Sequence, residues 1–334
     1  MLGSVLNRML LGTAIPEEYG CVARETLERR SRVLLSGRES ETFADVDDRV
    51  IFLGYKPLVM AIHFPAAGAE AEWLRRQELV CLSYGPDPEP SRTRWNGYLT
   101  FRGAIARLIL CRVSDRRVGA SEVSIWQGQL GSHDFLSRFH QATNRWRDYW
   151  TPDKPGNVRL PGNLYDQVRI AYSVPIGISI VTLYDGGLMN MFPTDLHGPV
   201  GDAHYVSSLR CGSRATEQLE RLGFAAISKV EAGWYKQAYA LGKNHMRALR
   251  SRDDFPLSTA VSAARRIPLP GGTVAYRELE RLDAIDVGIH RLHFYRSGPV
   301  EGVVPTPTPT LAHLHRFYLQ WRRNRGLPTQ ILQR

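Results

Sequence analysis

The chain has 334 residues, 43% of them hydrophobic and 23% charged, enough for two domains with cores of their own. No apolar run reaches the length of a membrane helix, so a helical span is not expected. Lysine and arginine number 43 against 33 aspartate and glutamate, a formal net charge of +10. The arginines come in scattered pairs (Arg29-Arg30, Arg75-Arg76, Arg116-Arg117, Arg265-Arg266) and form no basic stripe interleaved with aromatics. Composition therefore argues against a nucleic-acid partner and for an arginine-rich surface that attracts anions.

In chain order, residues 1–27 read as an N-terminal helical arm. Its mildly apolar start (1–15, with Arg8 inside) lacks a cleavage site before Glu17, so a short helix is expected there instead of a signal peptide. The four cysteines (Cys21, Cys81, Cys111, Cys211) show no paired spacing. Reduced thiols, mostly buried, in a cytoplasmic protein are the expectation. Residues 28–131 hold strands near 31–37, 57–62, 79–83, 106–113 and 121–126, with a helix near 70–77. Residues 132–165 form a helical linker. A helix over 134–149 is marked by Phe135, Phe139, Trp146 and Tyr149, and a Pro/Gly-rich connector follows over 152–161. Residues 166–300 hold strands near 179–185, 205–209, 224–228, 280–287 and 290–295, and a helix near 215–222. An extra block, 234–262, contains a helix-like stretch, 238–249. Residues 301–334 are a Pro/Thr linker and a terminal helix over 311–325. That helix carries Leu314, Phe317, Tyr318 and Trp321 on one side, basic residues at its C-terminal end, and packs back on the body.

The elements of 28–131 and 166–300 correspond one to one, offset by about 147 residues, a spacing suited to a duplicated domain and too long for a solenoid. Short strands with one intervening helix, then longer alternating strands, predict a mainly β chain with helices: two tandem small barrels, closed or split.

Chemistry concentrates in the second copy. A loop over 190–197 follows an apolar strand, and a second strand leads to Gly212-Ser213-Arg214 at the mouth of a helix. Thr194 and Ser213 offer hydroxyls, Arg210 and Arg214 offer charge, and the helix start offers free N–H groups, a set suited to a phosphate. Asp195 and His197 are close enough in sequence for either a general-base pair or a structural hydrogen bond. The pairs His290/His293 and His313/His315 lack a third ligand at metal-site spacing, so no metal is expected. No Gly-x-Gly-x-x-Gly follows a strand, which argues against a dinucleotide-binding Rossmann domain.

The 190–194 loop, the strand end 209–214, the helix with its following strand 224–230, and the strand 288–295 occur in the order that resembles the flavin reductase-like family, the FMN-binding split barrels. The likeness covers roughly 172–297 and is much weaker in the first copy. The resemblance implies a dimer with FMN wedged at the subunit interface. Carried over, Asn190, Thr194, Arg210, Ser213 and Arg214 hold the flavin tail and polar edge, Lys243 reaches the phosphate or substrate, and His290 lies near the ring system or the incoming nicotinamide. Catalytic candidates are then His290, His197 and Asp195. The expected protein is an FMN-dependent oxidoreductase, reduced by NAD(P)H, acting on flavin or a small organic substrate. It is either a monomeric pseudo-dimer or a homodimer.

The sequence departs from the family in two respects. Asp195 stands where a phosphate is expected, and the first copy carries three carboxylates at 45–48 and no Gly-Ser-Arg. One working site per chain follows, built mainly from the second copy and walled by the first. The alternatives are a split barrel without flavin that binds or transforms a small molecule, and a haem-binding relative with His245 or His290 as axial ligand.

Overall fold

The computed structural model describes residues 9–13, 15, 19–23, 32–86, 92–150, 158–327 and 331–332. The expected arm before Met9, the acidic pair Glu17-Glu18, Arg29-Arg30 and connector residues 151–157 lie outside them. The chain is mainly β with some helices.

The first sheet is built from β2 (Arg32–Gly37), β3 (Ala44–Asp45), β4 (Val50–Gly54), β5 (Val59–Pro65), β6 (Leu79–Gly85), β9 (Ala106–Val118) and β10 (Ser121–His133). Its order is β3-β2-β6-β9-β10-β5-β4, antiparallel throughout. Helix α1 (Ala69–Arg75) joins β5 to β6, and the hairpin β7 (Arg92–Trp95)–β8 (Tyr98–Phe101) is inserted between β6 and β9. The continuous apolar runs of β5 and β6 are buried on both faces. β9 is half-buried over its N-terminal part and alternates buried with less buried positions there.

The second sheet follows the same path. Its strands are β12 (Ser179–Asp185), β13 (Leu188–Thr194), β14 (His197–Val200), β15 (His204–Arg210), β16 (Phe224–Val230), β20 (Thr273–Val287) and β21 (His290–Ser297). They run β13-β12-β16-β20-β21-β15-β14, extended at the β13 end by β17 (Arg250–Ser251), with β22 (Glu301–Gly302) pairing on β20. Helix α4 (Arg214–Leu222) joins β15 to β16, as α1 joins β5 to β6. The block between β16 and β20 occupies the position that the β7–β8 hairpin holds in the first sheet. It contains α5 (Tyr235–Ala240), β17, β18 (Leu257–Val261) and β19 (Pro268–Pro270). The helix-like stretch 238–249 is instead the end of α5, a 3-10 turn over Gly242–Met246, and extended chain.

Each sheet has one face packed on its own interior and the other covered partly by its insertion and partly by the other unit. In the second sheet, Val181, Leu183 and Phe192 meet Leu209, Leu219, Leu279 and Tyr295. Ile180, Met189, Met191 and Val230 point the other way, onto Trp234, Leu241 and Phe255 of the insertion. In the first, Phe101 of the hairpin covers Leu34, and Ser36 donates to the Leu99 carbonyl at 2.8 Å.

The two units meet through like elements. Ile51, Leu53, Val59, Ala61, Val123 and Ile125 of the first share one apolar cluster with Val200, Val206, Leu292 and Phe294 of the second. The hairpin tips cross over. Gly119, between β9 and β10, lies against the His204 ring at the start of β15. Gly288, between β20 and β21, lies against Lys56 and Pro57 before β5. Both glycines have φ of +61°, and a Cβ at either would collide with the other unit.

The connecting segments close over the first unit. α2 (Arg138–Trp150) and α3 (Leu164–Ala171) replace the single linker helix, and α3 runs past the expected boundary at 165. Of the aromatics that marked that helix, Phe135 is buried ahead of α2, whereas Phe139, Trp146 and Tyr149 are exposed on it. The terminal helix is shorter than its periodicity suggested. Leu311–His315 is a strand, β23, and α6 covers Arg316–Arg323. The alternation Leu311, His313, His315 suits a strand equally well, and pairing with β1 (Tyr19–Ala23) and β11 (Ile176–Gly177) decides the matter. β24 (Ile331–Leu332) completes this four-stranded sheet. α6 is buried along its length, as packing back on the body requires. All four cysteines are free: Cys21 and Cys81 are buried, Cys111 is half-buried and Cys211 is exposed.

Candidate functional site

Asn190 sits at the centre of β13, fully buried. Its amide nitrogen meets Gln218 Oε1 at 2.8 Å, the Asn244 carbonyl at 3.0 Å and the Arg247 carbonyl at 3.2 Å, and its Oδ1 accepts the Met191 N–H. Gln218 Nε2 also donates to the Arg247 carbonyl, and Asn244 Nδ2 to the Met191 carbonyl. Asn190 thus ties α4 and the 3-10 turn of the insertion to β13. Thr194 is half-buried four residues along the strand, about 13 Å at the rise of a β-strand. Its hydroxyl accepts the Leu196 N–H at 3.3 Å.

Asp195 and His197 flank Leu196 in the β13–β14 corner without a hydrogen bond to each other. Asp195 Oδ2 accepts from Tyr172 Oη at 2.9 Å and from His313 Nδ1 at 2.8 Å. His313 Nε2 in turn meets the Tyr239 hydroxyl. The chain Tyr239–His313–Asp195–Tyr172 joins the insertion, β23, the corner and the end of α3. Asp195 and His313 keep 19% and 18% of their side-chain surface exposed, so solvent reaches the set. Burial pushes the Asp195 carboxyl up, but the hydrogen bonds from His313 and Tyr172 and the nearby imidazoles outweigh it and hold the group below its ordinary value.

His197 lies 3.2 Å from the Gly177 carbonyl through Nε2 and 2.7 Å from Tyr205 Oη through Nδ1. A carbonyl only accepts, so the proton sits on Nε2 and Nδ1 accepts from the tyrosine. Burial lowers its pKa to about 4 against the opposing pull of Asp195. The corner carboxylate is therefore served by an imidazole from the C-terminal strand, 118 positions away in sequence.

Arg210 and His290 are register partners across β15 and β21. Tyr55, just past β4 of the first unit, joins them. Its N–H donates to His290 Nε2 at 3.3 Å, and its hydroxyl accepts from Arg210 at 3.1 Å. Nδ1 of His290 therefore carries the proton and donates to Ser208 Oγ at 3.1 Å. The ring is 1% exposed, and burial, reinforced by the Arg210 charge, lowers its pKa to about 4.

Ser213 caps α4: its hydroxyl accepts the Thr216 N–H at 3.2 Å. Arg214 is exposed and pairs with Glu217 at 2.8 Å. Lys243 is exposed on the insertion. His245 Nδ1 lies 2.7 Å from the Gly242 carbonyl. In the first unit, Arg32 pairs with both Asp45 and Asp47, so one guanidinium offsets part of the charge of the three carboxylates there. Among the described residues no group of three or more His, Cys, Asp or Glu could hold a metal.

The structure thus sorts the candidates into three places: the corner with Thr194 and Asp195, the inter-unit cluster with Arg210 and His290, and the start of α4 with Ser213 and Arg214. Asn190 and Ser213 spend their polar groups on the fold. The α4 N-terminus, the Arg214 guanidinium in its weak surface pair and Lys243 retain capacity for a phosphate monoester, and the Thr194 hydroxyl retains hydrogen-bonding capacity at the corner. Sequence reasoning missed Tyr55, Tyr172 and Tyr239, and saw His313 only as half of a metal pair. A histidine on a strand gives no sign of which distant carboxylate it will meet.

No protein-family model matches the chain, and no curated protein matches it. Among solved structures, it is similar to the NADH:FAD oxidoreductase SgcE6 of Streptomyces globisporus C-1027 at 17% identity, covering 48% of this chain and 94% of that one, with a TM-score of 0.39. A second is an FMN-binding protein from Thermus thermophilus with bound p-hydroxybenzaldehyde, at 19% identity, covering 49% and 91%, with a TM-score of 0.38. A third is the styrene monooxygenase flavin reductase of Pseudomonas putida S12, at 20% identity, covering 43% and 90%, with a TM-score of 0.35. The chain resembles flavin reductase and FMN-binding split-barrel proteins, each over about half of its length.

Proposed function

We propose that the chain is an FMN-dependent oxidoreductase made of two fused split-barrel units, with one flavin site per chain and NAD(P)H as reductant. The observation that carries this reading is the shared strand order of the two sheets, packed through like strands and crossed hairpin tips. Such an arrangement supports a duplication that supplies both halves of a two-subunit flavin site within one chain. The domain limits proposed are 28–131 and 166–300, joined by 132–165 and flanked by 1–27 and 301–334.

Bound FMN supplies hydride chemistry, and the residues of the chain need only hold, orient and shield it. The start of α4 with Arg214 and Lys243 would hold the phosphate, Thr194 at the corner would meet a polar edge of the flavin, and Arg210 would lie toward the unit interface. Asp195, fixed by Tyr172, keeps His313 in the tautomer with its proton on Nδ1, so that Nε2 accepts from the Tyr239 hydroxyl. That phenol is then the group placed to exchange a proton with a small organic substrate at the corner.

The absorption spectrum of the purified protein, followed by titration with FMN, tests the reading. A flavin spectrum or saturable uptake of one FMN per chain is expected. Thr194→Ala combined with Arg214→Ala should weaken binding by about 2–4 kcal/mol. Two flavins per chain would overturn the one-site argument. One observation favours a second reading: the insertion covers β13 and saturates Asn190. A barrel that binds a small molecule without flavin would leave the protein colourless and indifferent to added FMN.

A further inference from the structure

Helix α2 turns its apolar side to solvent. At 3.6 residues per turn, Phe139, Ala142, Trp146, Tyr149 and Trp150 fall within about 100° of arc. The four aromatic residues of that arc are each between 62% and 68% exposed. The polar arc faces the body. Asn144 is buried there, donating to the Leu11 and His140 carbonyls at 2.9 and 2.7 Å and accepting from Arg316 at 3.3 Å. Gln141 donates to the His133 and Leu136 carbonyls. A helical turn over residues 9–11 lies alongside, tied to His140, Thr143 and Asn144 through its carbonyls, and adds the exposed Met9 and Leu10.

Single outward apolar residues are ordinary, but four rings on one stripe leave on the order of 500 Å² of aromatic surface in water. That is toward the upper end for the largest patch of a monomer, and such a patch marks an interaction surface. The rings brace one another: Trp150 meets Tyr149 and Trp146 edge-on, with centroids 5.4 and 6.5 Å apart, and Arg159 lies 4.7 Å over the Tyr149 ring. Charge decides what covers the stripe. Arg138 and Arg145 border it on one side and Arg147 on the other, and these and Arg159 are exposed. The one carboxylate of the helix, Asp148, lies on the inner side and is half-buried. Arg145 stands 3.6 Å from the buried Asp166, and Asp134, ahead of the helix, is paired with Arg107 at 3.2 Å. The border of the stripe is therefore positive.

We propose that the α2 face docks the protein on an anionic lipid surface, with the helix parallel to the bilayer plane. A second copy of the chain would set this patch against itself, arginine facing arginine. A flat row of rings edged by guanidinium groups suits a bilayer instead. Indole and phenol rings settle at the headgroup level, and arginine stems lie along the apolar stripe with their charges among the phosphates. Among the described residues no helix is long and apolar enough to cross a membrane, so the helical contact proposed here is peripheral.

Flotation of the full chain with vesicles of phosphatidylcholine alone, and of phosphatidylcholine mixed with phosphatidylglycerol, tests this at low ionic strength. Binding to the mixed vesicles is expected, weakening as salt is raised. Tryptophan emission should shift to the blue on binding, because Trp146 and Trp150 are exposed and the other five tryptophans are buried or half-buried. The variants Trp146→Ala/Trp150→Ala and Arg138→Gln/Arg147→Gln should each lower the partition coefficient about tenfold or more, with unchanged far-ultraviolet circular dichroism. Leu188→Ala/Met246→Ala, which removes exposed apolar side chains from the second unit, should leave it as it is. No binding to the mixed vesicles, equal binding to the neutral ones, a loss smaller than about tenfold in either α2 variant, or an equal loss in the Leu188/Met246 variant overturns the proposal. So does a dimer in sedimentation equilibrium that the tryptophan substitutions dissociate, which would make the face a contact between copies. Indifference to vesicles with saturable binding of polyglutamate would overturn it in favour of an acidic protein partner.

Discussion

His290 stands where the family resemblance places a group beside the ring system, yet its surroundings make it a neutral imidazole. It is buried, bonded at both nitrogens, and has a pKa of about 4 against 6.5 for an exposed histidine. A group whose pKa is depressed on folding contributes stability above its unfolded value, and loses it as the pH falls toward the folded one. Between pH 7 and pH 5 the unfolded chain takes up about three quarters of a proton at this site and the native chain about a tenth of one. Native stability should therefore fall by about 2 kcal/mol from His290 over that interval, with little further loss below pH 4. His290→Gln removes the titration and keeps an acceptor for the Tyr55 N–H and a donor for Ser208. Urea denaturation followed by tryptophan fluorescence should show similar stability at pH 7, within about 1 kcal/mol, and a loss at pH 5 smaller by about 2 kcal/mol than in the parent. Further acid lability comes from His63, His197 and His293, whose pKa values burial also lowers to about 4, and from His315, which burial holds well below its ordinary value. A His290 ring proton that titrates near 6.5 by NMR, or an unchanged pH slope in the variant, would refute the argument and return His290 to the list of acid–base groups.

Asn190→Ala should cost about 2–4 kcal/mol, because Gln218 Oε1 and the Asn244 and Arg247 carbonyls lose their buried donor. A lower thermal midpoint and faster proteolysis within 232–272 are expected, and an unchanged midpoint would show that the insertion is held by other contacts. Asp195→Asn should reduce stability by about 1–3 kcal/mol at neutral pH. The Asp195 carboxyl is depressed on folding, so its contribution is present above its ordinary value and disappears as the pH drops below it. The stability profile of the variant should accordingly be flatter than the parent's below about pH 4, and equal slopes would count against the Tyr172–Asp195–His313 network.

The repeated order of short apolar strands, one helix and longer strands was legible because each element buries a face that its own residue pattern announces. β12, β15, α4 and β16 fall where 179–185, 205–209, 215–222 and 224–228 predicted them, and their counterparts in the first unit do so too. Ser213, placed by the sequence at the mouth of a helix, is that helix's cap. Segments without a strong period went wrong: 238–249 breaks into a short helix and a 3-10 turn, and 311–315 takes strand pairing offered by β1 and β11.

The site divides along the same line. Local order specified which stretch carries hydroxyls, guanidinium groups and a helix start, since those properties reside in neighbouring residues. Which imidazole serves Asp195, whether Asn190 is spent on the fold, and what Arg210 and His290 touch depend on groups more than 20 positions distant. Tertiary packing alone decided these, because a hydrogen bond is set by distance and direction in space and a residue's type records neither.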